Sequence, residues 1–257
     1  MIELKVNNRS VTIPDNGTVL DAVRIAGVEL PTLCHHDGLE PYGACRLCMV
    51  AVTHPRNTLA AACVHPAEAG MVIETEAPQA VRARRLTLEF LLARAPGSEL
   101  IKKLAARAGI ESSRFAGPPA SDEQERCILC GLCVRVCREA IGASAIEFMG
   151  RGENRRVGTP FDLHAEACIG CGACAEVCPT GAIKIEDRGG LRILHTWHTQ
   201  VKLEECAGCG RYFAPEPMNF MKEMYPETDR LWGLCPVCRS KQTGLWVEVK
   251  TEVGRKD

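Results

Sequence analysis

The sequence predicts an α+β chain assembled from four small successive parts, and three observations predict it. The 257 residues carry 16 cysteines, and these fall into separate groups along the chain. Between the first group and the next, the pattern changes from short strand-like runs to helical periodicity. One cysteine run then occurs twice, so part of the chain is an internal repeat. The parts span 1–78, 79–121, 122–190 and 191–257.

In the first part, IELKV and SVTI alternate as strands around Asn7-Asn8-Arg9. Asparagine tolerates left-handed backbone angles, which suits a hairpin. Thr18 can cap a helix over VLDAVRIAG, with Asp21 three residues on and Gly27 as the stop. A cysteine-bearing loop follows, interrupted by the strand-like CMVAVT, and VIETE (72–76) reads as a last strand. Two strands, a helix and further strands in so short a span make a unit of the β-grasp type.

Residues 79–108 read as two helices broken at Ala95-Pro96-Gly97, with Ser98 as cap and Gly109 as stop of the second. Lysine and arginine outnumber glutamate there. That excess is either a solvated basic face or a contact surface for an acidic partner. Residues 111–122 (ESSRFAGPPASD) have the composition of a linker.

The repeat comprises Cys127, Cys130, Cys133 and Cys137, then Cys168, Cys171, Cys174 and Cys178, the latter followed by Pro179. Each run is C-x2-C-x2-C-x3-C, and an Ala-Ile pair follows each. Thiolates are soft donors suited to iron–sulfur clusters. In bacterial ferredoxin runs of this form, three cysteines hold one four-iron cluster and the fourth ligates the other cluster. The expected sets are therefore Cys127, Cys130, Cys133 and Cys178 for one [4Fe–4S] cluster, and Cys137, Cys168, Cys171 and Cys174 for the second. Two zinc sites are the alternative, but zinc ligands usually come as separated pairs. Gly131, Gly170 and Gly172 permit the turns around the sulfurs.

Thirty residues separate Cys137 from Cys168, longer than in simple two-cluster ferredoxins. This segment resembles the ferredoxin part of [FeFe]-hydrogenases. It also resembles the large iron–sulfur subunit of respiratory complex I and its relatives in NAD-linked hydrogenases and formate dehydrogenases. The pattern Cys34-x10-Cys45-x2-Cys48-x14-Cys63, with Gly43-Ala44-Cys45-Arg46-Leu47-Cys48, is similar to the N-terminal [2Fe–2S] domain of that family. The resemblance covers residues 1 to about 187 and implies a β-grasp [2Fe–2S] ferredoxin domain, a helical linker and a two-cluster [4Fe–4S] ferredoxin domain. His35 and His36 raise the Rieske alternative, in which two histidines bind one iron. Four cysteines already complete the set, so these histidines are expected to be exposed or to donate a hydrogen bond nearby.

The family's histidine-ligated four-iron cluster is not expected, because residues 66–126 hold neither Cys nor His. Nor is a catalytic domain of hydrogenase or molybdopterin type expected. Cys206, Cys209, Cys235 and Cys238 form two CxxC pairs 25 residues apart. With Gly or Pro beside them, they resemble a zinc ribbon or a rubredoxin-like site in a small β-rich domain. Zinc is preferred, with a single iron or a further iron–sulfur cluster as alternatives.

Composition narrows the function. A net charge of −1 and only 5% aromatic residues give no reason to expect nucleic acid as partner. No run approaches the ~20 apolar residues of a membrane helix, and no signal pattern opens the chain, so direct membrane insertion is not expected and a cytoplasmic location is. No GxGxxG after a strand and no P-loop is present. The expected function is an electron-relay subunit without a catalytic site of its own. The resemblance implies a flavin/NAD(P) subunit and a hydrogenase or formate dehydrogenase-type catalytic subunit as partners, with ferredoxin a further one if the complex bifurcates electrons. A free-standing carrier and a redox-sensing nucleic-acid-binding regulator are the alternatives. Potentials on the order of −400 mV are expected by analogy with plant-type ferredoxins.

Overall fold

The computed structural model describes residues 1–117, 125–215 and 233–243. Its first unit is a mixed five-stranded sheet, ordered β2-β1-β5-β3-β4. Strands β1 (Ile2–Val6) and β2 (Arg9–Ile13) form the anticipated antiparallel hairpin. Asn7 and Asn8 turn it at φ 47° and 65°. Helix α1 (Val19–Ile25) is closed by a full capping box. The Asp21 N–H donates to the Thr18 hydroxyl at 3.3 Å, and the Thr18 N–H donates to the Asp21 carboxylate at 2.7 Å. Its buried face, Val19, Leu20, Ala22 and Val23, packs on Leu4, Val6, Ile13, Val50 and Ile73 of the sheet.

Strand β3 (Met49–His54) lies between β4 (Thr58–Ala61) and β5 (Val72–Glu74), and β5 runs parallel to β1. β4 was not anticipated. Its Thr-Leu-Ala-Ala has little β propensity, and pairing with β3 rather than local preference makes it a strand.

Helices α2 (Pro78–Arg94) and α3 (Glu99–Arg107) are the expected pair. The Ile101 N–H donates to the Ser98 hydroxyl at 3.4 Å, and Gly109 stops α3 at φ 67°. Three of the arginines here do not lie on a free solvated face. Arg84 donates to the carbonyls of Met49 and Thr75, which staples α2 to the sheet. Arg85 donates to the Ala108 carbonyl, and Arg94 to that of Arg155. Leu88, Leu91, Ile101 and Ala105 of the pair share one core with Leu33, Cys34, Cys45 and Leu47 on one side and Cys130, Leu132 and Val136 on the other.

The repeat follows. Short helices α4 (Leu132–Arg135) and α5 (Ala173–Glu176) each start after a glycine, Gly131 at φ 76° and Gly172 at φ 81°. A two-stranded ribbon, β6 (Glu147–Met149) and β7 (Arg156–Gly158), fills the long spacer. The last sheet is β11-β10-β9-β8, built from β8 (Ile185–Arg188), β9 (Leu191–Leu194), β10 (Thr199–Glu205) and β11 (Tyr212–Pro215). It runs across residue 190, so the cysteine repeat and the tail share a sheet. Helix α6 (Pro236–Thr243) follows the second CxxC. LWVEVK (245–250), which reads as a strand in the sequence, and part of the linker at 111–122 lie outside the described residues.

Candidate metal centres

Cys34, Cys45, Cys48 and Cys63 are all buried, the first two in the core shared with the helical pair and the last two in the core of the five-stranded sheet. Strand β3 begins beside Cys48, and the turn after β4 carries Cys63. The Cys45 N–H donates to Cys34 Sγ at 3.3 Å, the Leu33 N–H donates to Cys45 Sγ at 3.4 Å, and the sulfurs of Cys48 and Cys63 are 3.3 Å apart. Hydrogen bonds from the thiols of Cys45 and Cys63 hold Cys34 far below its ordinary value. The Cys63 thiol likewise brings Cys48 down to about 7. Cys45 and Cys63 are pushed up in turn. Buried soft sulfurs within hydrogen-bonding reach of one another suit a soft metal centre.

The histidines are engaged elsewhere. His35 Nε2 lies 3.0 Å from the Asp37 carboxylate, and the Gly38 N–H donates to His36 Nδ1. His35 Nδ1 is buried with no partner among the described residues.

The two runs of the repeat line two cavities. Cys127, Cys130, Cys133 and Cys178 face one of them. Cys137, Cys168, Cys171 and Cys174 face the other. Each cavity thus takes three sulfurs from one run and the fourth from the other. Burial pushes Cys130 up to about 12 and Cys174 up to about 11, and raises Cys127, Cys133 and Cys168 as well. Such thiols ionise when a cation replaces their protons. Backbone donors aim at the sulfurs: the Ala145 N–H at Cys137 and the Ala182 N–H at Cys178, both at 3.3 Å. Each of these alanines is followed by an isoleucine, Ile146 and Ile183. Soft donors, sulfur-lined cavities and inward-facing N–H groups together fit iron–sulfur clusters.

At the other end, the sulfurs of Cys206, Cys209, Cys235 and Cys238 all lie within 4.8 Å of one another. The Cys235 N–H donates to Cys206 Sγ at 3.2 Å, and the Gly210 N–H closes the first knuckle on the Cys206 carbonyl at 2.8 Å. The Cys235 N–H brings Cys206 down to about 6, and the Cys209 thiol raises Cys238 to about 12. A small metal-binding unit is compatible with this group.

Several residues around the centres were not anticipated from the sequence. Arg135 is 4% exposed and sits in sequence between Cys133 and Cys137. Its guanidinium donates to the Cys34 carbonyl at 2.8 Å and to the Glu40 carbonyl, and lies 5.2 Å from the Tyr42 ring centre. It ties the second cysteine group to the first. Arg192 donates to the Gly170 carbonyl at 3.0 Å and grips Asp187 with two bonds of 2.7 Å, which steadies the second run. Arg94 borders the Cys127 cavity. A cation inside the apolar run CVRVC was a usable signal for Arg135. Nothing local marked Arg192 or Arg94.

Comparison with known proteins points to the same cluster types. Residues 1–78 match the family described as 2Fe-2S iron-sulfur cluster binding domain. Residues 126–182 and 167–211 match the 4Fe-4S dicluster domain. The chain is 34% identical over 177 residues to the NADH dehydrogenase [ubiquinone] iron-sulfur protein 1, mitochondrial, of Solanum tuberosum, covering 61% of this chain and 24% of that protein. It is 30% identical over 178 residues to the NADH-ubiquinone oxidoreductase 78 kDa subunit, mitochondrial, of Candida albicans, covering 61% of this chain and 25% of that protein. The chain thus spans about a quarter of the length of these curated relatives. Among solved structures, it is similar to a chain of the NAD+-reducing [NiFe]-hydrogenase in the H2-reduced state. That match has a TM-score of 0.54 and 32% identity, and covers 62% of this chain and 74% of the other.

Proposed function

Because the chain belongs to the family of iron–sulfur electron-transfer subunits that resemble the N-terminal part of the complex I large iron–sulfur subunit, we propose that it is the relay subunit of a cytoplasmic, NAD(P)-linked oxidoreductase complex. The carrying observation is the shared core, in which the two-iron cysteines and the Cys130 loop pack against the same helical pair. Bound clusters supply one-electron donor and acceptor levels. The chain supplies the thiolates, the backbone N–H groups aimed at them and the apolar packing that excludes water. Arg135 supplies a buried positive charge beside Cys34.

In this reading Cys34, Cys45, Cys48 and Cys63 hold a [2Fe–2S] cluster. Cys127, Cys130, Cys133 and Cys178 hold one [4Fe–4S] cluster, and Cys137, Cys168, Cys171 and Cys174 hold the second. The lining of the two cavities supports that division. Cys206, Cys209, Cys235 and Cys238 hold zinc in a structural site. A flavin/NAD(P) subunit delivers or receives electrons at one end, and a hydrogenase or formate dehydrogenase-type subunit does so at the other. Among the described residues no helix is long and apolar enough to cross a membrane.

Metal analysis with EPR tests the assignment. About ten irons and one zinc per chain are expected from the cluster types, whereas about fourteen irons without zinc would make the tail a further cluster. Gel filtration of the native protein from its source cells tests the partners. Elution within a larger complex is expected, and a lone 28.0 kDa species would overturn the subunit reading.

A further inference from the structure

Trp197 lies in the short turn between β9 and β10 and is 2% exposed. Its indole N–H donates to Cys174 Sγ at 3.4 Å, and the ring borders both sulfur-lined cavities. Among the described residues, only one other non-cysteine side-chain group comes within bonding reach of the eight cavity sulfurs. That is the Thr180 hydroxyl, 3.7 Å from Cys178 Sγ. The remaining donors are backbone N–H groups.

The indole is held on its sulfur by a chain of contacts. The Thr199 hydroxyl donates to the Trp197 carbonyl at 2.8 Å and accepts the Ala165 N–H at 3.2 Å. The Ala165 carbonyl in turn accepts the Cys168 N–H at 2.9 Å. Thr199 is itself 1% exposed. The turn that carries the donor is therefore pinned to the start of the run that carries the acceptor.

We propose that Trp197 is a positioning residue that raises the reduction potential of the Cys137, Cys168, Cys171 and Cys174 centre relative to the same centre without the donor. Reduction adds negative charge that spreads onto the thiolate sulfurs, and a donor fixed on one of them favours the reduced form. The bond reaches a sulfur of one cavity only, so its loss shifts that centre and leaves the other in place. This rests on the relay reading above.

The test is a redox titration of the full-length, iron-loaded chain followed by EPR. Two substitutions are compared at the same position: Trp197→Phe, and the isosteric 3-benzothienylalanine, which keeps the ring shape and lacks the N–H. The expected result is that one four-iron midpoint falls by roughly tenfold in its reduction equilibrium, ~59 mV for one electron. The other four-iron midpoint, the two-iron midpoint and the iron content stay as in the parent. An unchanged midpoint in the benzothienylalanine variant overturns the proposal, and so does an equal shift of both four-iron centres. A parent chain that takes up no four-iron clusters overturns the relay reading itself, which its iron content shows before any potential is measured.

Discussion

Arg135 is the residue on which the junction between the first two centres depends most directly. Its guanidinium satisfies the Cys34 and Glu40 carbonyls, and it is 4% exposed, so truncation leaves buried acceptors unpaired. Arg135→Met is expected to cost about 2–3 kcal/mol, because a lost charge-assisted bond carries the desolvation of its partner as well. Urea unfolding measures this. The two-iron midpoint should also fall in a potentiometric titration, since a positive charge beside the centre has gone. Asp187 gives a milder, pH-dependent case. Arg192 holds its carboxyl below the usual range through the paired hydrogen bonds. A depressed carboxylate contributes stability above its unfolded value, ~3.9, and that contribution is lost as pH falls through the lower folded value. The side chain is 45% exposed, so solvent screens the pair to at most about 1 kcal/mol. Comparing thermal unfolding of the parent and Asp187→Asn, the difference present near pH 6 should vanish in strong acid.

At the level of elements, the two short helices of the repeat depend on the glycine before each. Gly131 has φ 76°, and a Cβ there would meet the Phe148 ring at 3.1 Å. Gly131→Ala is expected to destabilise by about 1–2 kcal/mol from the left-handed backbone alone. It should also lower iron occupancy of the Cys127 cavity before that of the other, which metal analysis and EPR would register. The elements easiest to read from sequence were those with a local chemical cause. The Asn7-Asn8 turn, the Thr18 box, the Ser98 cap and both cysteine runs each announce themselves within a few residues. β4 did not, because its alanines become a strand only beside β3. The β8–β9 hairpin does carry a local signal, the Gly189-Gly190 turn at φ 58° and 77° between its strands. Arg135 and Trp197 act across 101 and 23 residues of sequence, and no local pattern encodes such contacts.

Across the whole molecule, one apolar core joins parts that the sequence separates. Ile101 is fully buried in α3 and belongs to the cluster that includes Cys34, Cys45 and Cys130. Ile101→Ala is expected to cost about 2–5 kcal/mol. If the core is continuous, heating this variant should bleach the two-iron signal and one four-iron signal together. Separate transitions would show that the parts unfold independently. The basic residues of α2 share in this joining, since Arg84 and Arg94 reach carbonyls on opposite neighbours of the helix pair.

The exchange of one cysteine between the two runs also has a meaning in time. The cavity begun by Cys127, Cys130 and Cys133 is closed by Cys178. A chain emerging from the ribosome presents three sulfurs of that set, then waits about 45 residues for the fourth, roughly 2–9 s at ordinary elongation rates. During that interval Cys137 is likewise alone, because its companions begin at Cys168. Neither cavity can be completed before nearly the same moment of synthesis. The two sites become available for loading almost together, and a nascent chain halted between the runs carries neither complete set.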